Sequence, residues 1–421
     1  MLPERVFRPI DYVKISVFGA ALSFLWPSLH TLIIPLRLLE LAPEAQKNTY
    51  LGILTFCGSM IAILIQPLAG AISDRVSFRL GRRRPFILVG TLLALLFLPG
   101  IGLSGTFLFL FLGYCLLQVA CNIAQGPFQA FIPDLAPPTR RGVASGVKNL
   151  TEVVVGVAFL RVVAYFMDVY TGDGGEMWLW LAVGFPWIVL LGAMVTTMLT
   201  VKEQPLSSDS QPFSVKTMLG AYKIDVKGNP GFVWFLVSRL LILMALGTLQ
   251  TFALYFLRDV LHVPNPAGAV GDLLIAVGIF LLISVYPAGQ LSDRLGRKPI
   301  ILLSGLVGAV GILVLLFAPT YTGVLVCGGL LGISAGAFLS ANWALATDIV
   351  PSGEEARYLG LTNLATAGAG GLARLIGPLI DFLNAKQSGL GYSTMLVACI
   401  FYFILGSAAV IMVKERARED S

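Results

Sequence analysis

The sequence predicts an all-α membrane protein: twelve transmembrane helices arranged as two pseudo-symmetric six-helix bundles. Three observations lead there. The 421 residues are 57% hydrophobic and only 12% charged, with a mean hydropathy of +0.84, whereas soluble domains carry about 25% charged residues. The surplus of apolar side chains must therefore face lipid. Twelve segments are apolar over the roughly 20 residues needed to cross a bilayer. Finally, a charged, glycine-bearing loop that follows the second segment returns after the eighth.

In chain order the segments are 12–39, 49–73, 85–104, 107–133, 142–168, 176–201, 231–258, 268–291, 299–318, 321–349, 357–383 and 389–413. The first follows Arg5, Arg8 and Lys14 in the manner of a signal peptide. It runs on to Leu39 without a small-residue cleavage site, so it reads as a retained span. After the sixth comes the one long polar stretch, 202–230, which holds Lys202, Glu203, Asp209, Lys216, Lys223 and Lys227. It divides the chain into an N-terminal bundle (1–201), a linker (202–230) and a C-terminal bundle (231–421). With the N-terminus in the cytoplasm, 21 Lys and Arg residues fall in cytoplasmic segments against four outside, Arg37, Lys47, Arg258 and Lys386. The positive-inside rule then predicts cytoplasmic termini and a cytoplasmic linker, in a plasma (inner) membrane.

The recurring loop reads Gln66-Pro67-Leu68-Ala69-Gly70-Ala71-Ile72-Ser73-Asp74-Arg75, then Leu80-Gly81-Arg82-Arg83-Arg84-Pro85. Its second copy is Pro287-Ala288-Gly289-Gln290-Leu291-Ser292-Asp293-Arg294-Leu295-Gly296-Arg297-Lys298-Pro299. From Pro85 onward a constant offset of 214 pairs Pro85 with Pro299, Asp134 with Asp348, Gly146 with Gly360 and Asn149 with Asn363; upstream the offset is 219. Such repeats belong to carriers whose halves rock about a solute site near mid-bilayer. No GxxxxGK[ST] loop occurs, which leaves an ion gradient or facilitated diffusion as the drive. The net charge of +6 sits in short loops and sets topology; no nucleic-acid partner is expected. All five cysteines lie in apolar segments without a CxxC, and His30 and His262 are far apart, so no metal or cofactor is expected. No nucleophile–base pair marks an enzyme.

A charge at the centre of a span costs about 2.5–3.5 kcal/mol and usually serves function, so the polar residues within spans carry most of the information. Glu152 is the one acid deep in a span, and Lys148, four residues earlier, shares its helical face. The two read either as a proton-coupling pair or as a static ion pair that lets both charges insert. Gln118, Asn122, Gln125 and Gln129, at steps of four, three and four, draw one stripe along the fourth span. Amides suit polyols in a cavity, and they also serve as glue between helices. Arg161 and Arg374 either bind solute hydroxyls, reach Glu152 in one conformation, or snorkel to the interface; Arg239 reads as a snorkelling residue. Trp26, with His30 one turn on and on the same side, reads either as a plane to stack on a sugar face or as packing or an interface anchor. Gly142, Gly146, Gly368, Gly370 and Gly371 read as points of close helix approach.

The repeated loops resemble the signature of the major facilitator superfamily: a Gly, then Asp-Arg, then Gly-Arg-Arg or Gly-Arg-Lys between spans two and three. More narrowly, several runs are similar to the sucrose/proton symporters, which lie near the glycoside–pentoside–hexuronide cation symporters. These are Gln66-Pro67, Ser73-Asp74-Arg75 with Gly81-Arg82-Arg83-Arg84-Pro85-Phe86-Ile87, Asn122-Ile123-Ala124-Gln125-Gly126-Pro127, and Phe24-x-Trp26 with Pro35. The resemblance implies proton-coupled uptake of a sugar or glycoside by alternating access. It implies a monomer in the lipid bilayer, with a proton or other cation gradient in place of a cofactor. It also implies a cytoplasmic gate, in which the loop Asp bonds a neighbouring helix end and the Arg residues clamp. Asp74, Arg75, Arg82, Arg83, Arg84, Asp134 and Arg141 would form one set. The second would comprise Asp293, Arg294, Arg297, Lys298, Asp348 and Arg357. The plainer reading of these cations is topology-setting charge alone. An exporter of lipophilic or drug-like molecules and a non-transporting membrane assembly factor stay open as alternatives.

Overall fold

The computed structural model describes residues 8–76, 78–172, 175–203, 229–317, 319–350 and 355–413, so residues 204–228 of the predicted linker lie outside them. Among the described residues, 11 helical spans are long and apolar enough to cross a membrane. Spans 1 to 6 are Pro9–Leu41, Glu44–Ser73, Arg84–Leu103, Phe107–Leu135, Arg141–Thr171 and Glu176–Thr200. Spans 7 to 10 are Pro230–Asp259, Pro266–Leu295, Arg297–Phe317 and Tyr321–Ile349, and Leu390–Ile411 is the last, here span 12. The segment predicted at 357–383 is helical but broken: Glu355–Leu372, a 3₁₀ turn at Ala373–Ile376, then Gly377–Asn384. A glycine-rich end and Pro378 leave that helix without the continuous ladder of the others; it is span 11.

Local chemistry sets the ends. Thr106 begins span 4 by accepting from the Phe109 amide at 3.4 Å, and Thr320, its equivalent by the 214 offset, begins span 10 by accepting from the Gly323 amide at 3.1 Å. Both satisfy an amide that has no partner inside its own helix. In span 1, Pro27 removes a donor from the ladder, and the next turn, Ser28–Ile33, widens to a π-helix. Thr31 Oγ1 donates to the Pro27 carbonyl at 2.7 Å.

The chain forms two compact units. One comprises Met1–Ala42 with Met60–Phe213, and the other Pro43–Ser59 with Ser214–Ser421. Span 2 therefore begins in the second unit and ends in the first. Within the first unit span 3 packs on span 4, and span 1 on spans 5 and 6. In the second, spans 8 and 9 flank span 10, while span 12 packs on spans 7 and 9. Close crossings rest on Gly90, where an added Cβ would lie 2.7 Å from the Ala120 carbonyl, and on Gly336, at 2.7 Å from the Leu281 carbonyl. The glycines singled out from sequence behave otherwise. Among the described residues nothing lies within 4 Å of a Cβ placed on Gly142, Gly146, Gly368 or Gly370, so the expected close approaches are not seen there.

Candidate functional site

In the first unit the fourth-span amides divide by depth. Gln118 and Asn122 are buried. Gln118 Nε2 donates to Tyr114 Oη at 2.7 Å, and Asn122 Nδ2 donates to the Gln118 carbonyl at 2.8 Å and to its Oε1 at 3.1 Å. They satisfy one another along their own helix. Gln125 is half-buried and accepts from Trp26 Nε1 at 3.4 Å, while Gln129 is exposed. Trp26 stacks on His30, with centroids 5.3 Å apart and 22° between planes, and a His30 ring nitrogen lies 2.8 Å from Tyr114 Oη. The π-turn after Pro27 carries His30, so the irregular backbone of span 1 presents the imidazole to the Tyr114 hydroxyl. Tyr114 was not foreseen, although it stands one helical turn before Gln118 in the same stripe.

Lys148 Nζ and Glu152 Oε1 form an ion pair of 2.8 Å, with side chains 21% and 19% exposed. The ammonium also lies 5.9 Å from the Phe128 ring centroid. Gly19 of span 1 makes room for the acid, since a methyl group there would overlap Glu152 Oε1 and sit 2.8 Å from the Phe128 ring. Half-buried Arg161 lies further along the same helix.

At the loop between spans 2 and 3, Arg83 is the hub. It is 3% exposed. Its Nε donates to Asp134 Oδ2 at 3.0 Å, its Nη1 to Ser73 Oγ at 2.5 Å and to the Gly70 carbonyl at 3.3 Å, and its Nη2 pairs with Asp74. Arg82 Nη2 holds the other oxygen of Asp134 at 2.5 Å. Arg75 donates to the Ala71 carbonyl at 2.8 Å, Arg141 to the Pro133 carbonyl at 2.7 Å, and Arg84 to the Met198 carbonyl. Glu203, which sequence alone left in the linker, accepts the amides of Arg82, Arg83 and Arg84 at 2.6, 2.8 and 2.8 Å, and so caps the start of span 3. Gly81 beside it has φ +108°, and a Cβ would lie 2.6 Å from Glu203 Oε2, so only glycine fits.

The second unit repeats the hub at the offset positions. Arg297 Nε donates to Asp348 Oδ2 at 3.2 Å, while Nη1 pairs with Asp293 and reaches Ser292 Oγ at 3.3 Å. This copy is looser: Asp293 and Asp348 are 67% and 51% exposed. Arg294 is exposed and Lys298 half-buried; the Arg357 side chain lies outside the described residues.

Two further groupings in that unit were not legible beforehand. Arg239, expected to snorkel, is buried; its Nε donates to Thr366 Oγ1 at 2.9 Å and its Nη1 to Asn342. Polar partners on spans 10 and 11 hold the guanidinium inside the bundle. At the start of span 2, buried Asp381 accepts from Asn48 Nδ2 at 2.8 Å, the Thr49 amide at 2.6 Å and Thr49 Oγ1 at 2.6 Å. Lys47 pairs with Glu44 and Asp259 at 2.6 Å each, and Tyr392 Oη donates to Asp259 at 2.5 Å. Asp381, Asn48, Lys47, Asp259 and Tyr392 line a cleft of about 520 Å³ with Arg258 and His262. Arg374 bonds the Thr55 carbonyl at 3.0 Å and Ser59 Oγ, so it grips span 2 instead of an interface.

Apolar spans in two units, one arginine hub repeated in each, and an acid–base pair inside a span define a multi-pass membrane transporter of the major facilitator type. Its fold matches a mutant form of the nucleoside transporter NupG with a TM-score of 0.74 at 16% identity, covering 96% of this chain and 100% of that one. It also matches a bacterial homologue of the human lysosomal transporter Spinster, at 0.68 and 15%, covering 97% and 95%. The chain belongs to the MFS/sugar transport protein family, whose model matches residues 46–413, a family of transporters and not of enzymes. Similar relatives include the Arabidopsis thaliana sucrose transport proteins SUC3, 30% identical over 154 residues, and SUC4, 31% over 175 residues. The matched stretches cover 31% and 37% of this chain and 24% and 32% of the relatives.

Proposed function

We propose that the chain is a secondary transporter that takes up a sugar or glycoside by alternating access, driven by a proton gradient, with both termini in the cytoplasm. The carrying observation is the pairing, within one unit, of a half-buried aromatic–amide face (Trp26, His30, Gln125) with the Lys148–Glu152 ion pair. Aromatic planes stack on sugar rings, and an amide offers both donor and acceptor to hydroxyls. Protonation of Glu152 removes the charge that holds Lys148, so a proton arriving there changes the local electrostatics of spans 1, 4 and 5 together. Gln118 and Asn122 stiffen the helix behind this face, and Gln129 and Arg161 complete the residues of this unit assigned to solute handling. The two arginine hubs serve as cytoplasmic latches, and the Asp381 cluster ties down the start of span 2. Family membership and the partial likeness to sucrose transport proteins support a sugar as the solute.

The test is transport in proteoliposomes. Glu152→Gln should abolish gradient-driven accumulation of a radiolabelled disaccharide while equilibrium exchange persists. Trp26→Ala and Gln125→Ala should weaken both. Accumulation by Glu152→Gln at the wild-type level refutes coupling through this acid. If a thermal-shift screen registers only detergent-like or aromatic compounds and no sugar or glycoside, the sugar assignment falls.

A further inference from the structure

The second unit carries a polar constellation at the place where the first holds its acid. By the 214 offset, Thr366 and Asn342 stand in the positions of Glu152 and Phe128. Arg239 bridges them at 6% exposure, through Nε to Thr366 Oγ1 and Nη1 to Asn342 Oδ1. Thr366 in turn donates its own proton to the Thr362 carbonyl at 3.0 Å, so that hydroxyl is used in both directions. Asn342 is wholly buried, and its Nδ2 has no partner among the described residues. A guanidinium only donates, so Oδ1 of Asn342 must face it, and the amide nitrogen is the group left over. Among the described residues no carboxylate stands with Arg239. A full positive charge is therefore held inside a bundle by neutral acceptors, next to a buried donor that nothing answers. Intramembrane charges of this kind are costly unless something pairs with them.

Every spare group in the constellation is a donor, and the net charge is positive. The complement is a ligand that only accepts, carries negative charge and offers two oxygens: a carboxylate, whose geometry matches the planar guanidinium. We propose that Arg239, Asn342 and Thr366 form an anion-recognising subsite of the C-terminal bundle, which takes the carboxylate of a sugar acid as the transported solute. This rests on the sugar-transport reading above and narrows its solute class.

The experiment measures binding of methyl glucuronide and methyl glucoside to the purified full chain by thermal shift and by competition for uptake. Wild type should bind the glucuronide about tenfold or more tightly than the glucoside, as expected for one charge-assisted contact. Arg239→Gln should erase that preference. Asn342→Asp supplies an internal carboxylate of the same size and should erase it as well, while leaving the bundle packed. Preference for the glucoside, equal binding, or a glucuronide preference that survives both substitutions overturns the subsite and leaves the sugar reading standing. Binding of neither compound overturns both.

Discussion

Truncating Asp381 is the sharpest stability test, because the structure separates the effects of two substitutions at one site. One carboxylate oxygen accepts from Asn48 Nδ2; the other accepts from the Thr49 amide and hydroxyl. Thr49 lies in the first turn of the helix Lys47–Ser73, where its amide has no intrahelical acceptor. Asp381→Ala therefore removes the acceptor of the half-buried Thr49 amide and leaves the buried Asn48 Nδ2 with Tyr392 Oη at 3.3 Å alone, while the Thr49 hydroxyl can turn elsewhere. At about 1–3 kcal/mol for each lost hydrogen bond, the loss is at most about 2–6 kcal/mol. Asp381→Asn differs. Its amide oxygen can take the Thr49 donors, and its amide nitrogen can meet Asn48 once that side chain flips, because Asn48 Oδ1 is buried and has no partner. The Asn variant should retain most of the stability. Thermal melting in detergent should place Asp381→Ala on the order of 10 °C below wild type, with Asp381→Asn well above it. Equal melting points for the two variants would refute the reasoning, as would an Ala variant that melts like wild type.

Three other perturbations have definite outcomes. Gly19→Ala pushes a methyl against Glu152 and the Phe128 ring; it should cost about 1–3 kcal/mol and lower proton-driven accumulation, with the Gly19→Ala/Glu152→Gln double variant transporting no worse than Glu152→Gln. The two hubs should respond unequally to Arg→Lys, since an ammonium cannot span two carboxylates and a backbone carbonyl at once. Arg83→Lys in its buried site should cost about 1–3 kcal/mol, whereas Arg297→Lys, between half-exposed acids, should cost less than about 1 kcal/mol, both read by melting. Glu203→Gln should weaken the cap on span 3 by about 0.5–2 kcal/mol, and Glu203→Ala by more.

Much of this architecture was legible from the chain itself. Apolar length located all of the spans, including the broken one, because the bilayer imposes one length scale on every crossing. The recurrence of the loop grouped the two sets of acids and cations, and within them Arg83 and Arg297 meet equivalent partners. Helical spacing placed Lys148 with Glu152 and aligned the fourth-span amides. What spacing cannot encode is depth: it did not show that Gln118 and Asn122 would be spent on Tyr114 and each other, leaving Gln125 beside Trp26. Nor could it foresee partners far apart in sequence. Asp381 and Asn48 lie 333 positions apart, and each on its own looks like a routine polar residue near a helix end. Arg239 was misread because a guanidinium near a span end usually reaches for water; only the threonine and asparagine of two other spans explain why it stays inside. The glycines misled for a related reason, since a missing side chain permits contact but does not create it.

The grip of Glu203 on the three consecutive arginine amides gives the segment after span 6 a fixed starting point. Whatever the connecting stretch does downstream, its tether is knotted at the turn around Gly81. Insertions or protease cuts beyond that knot would leave the turn seated. Loss of the Glu203 carboxylate would instead free the amides of Arg82 and Arg83, the same arginines that hold Asp74 and Asp134.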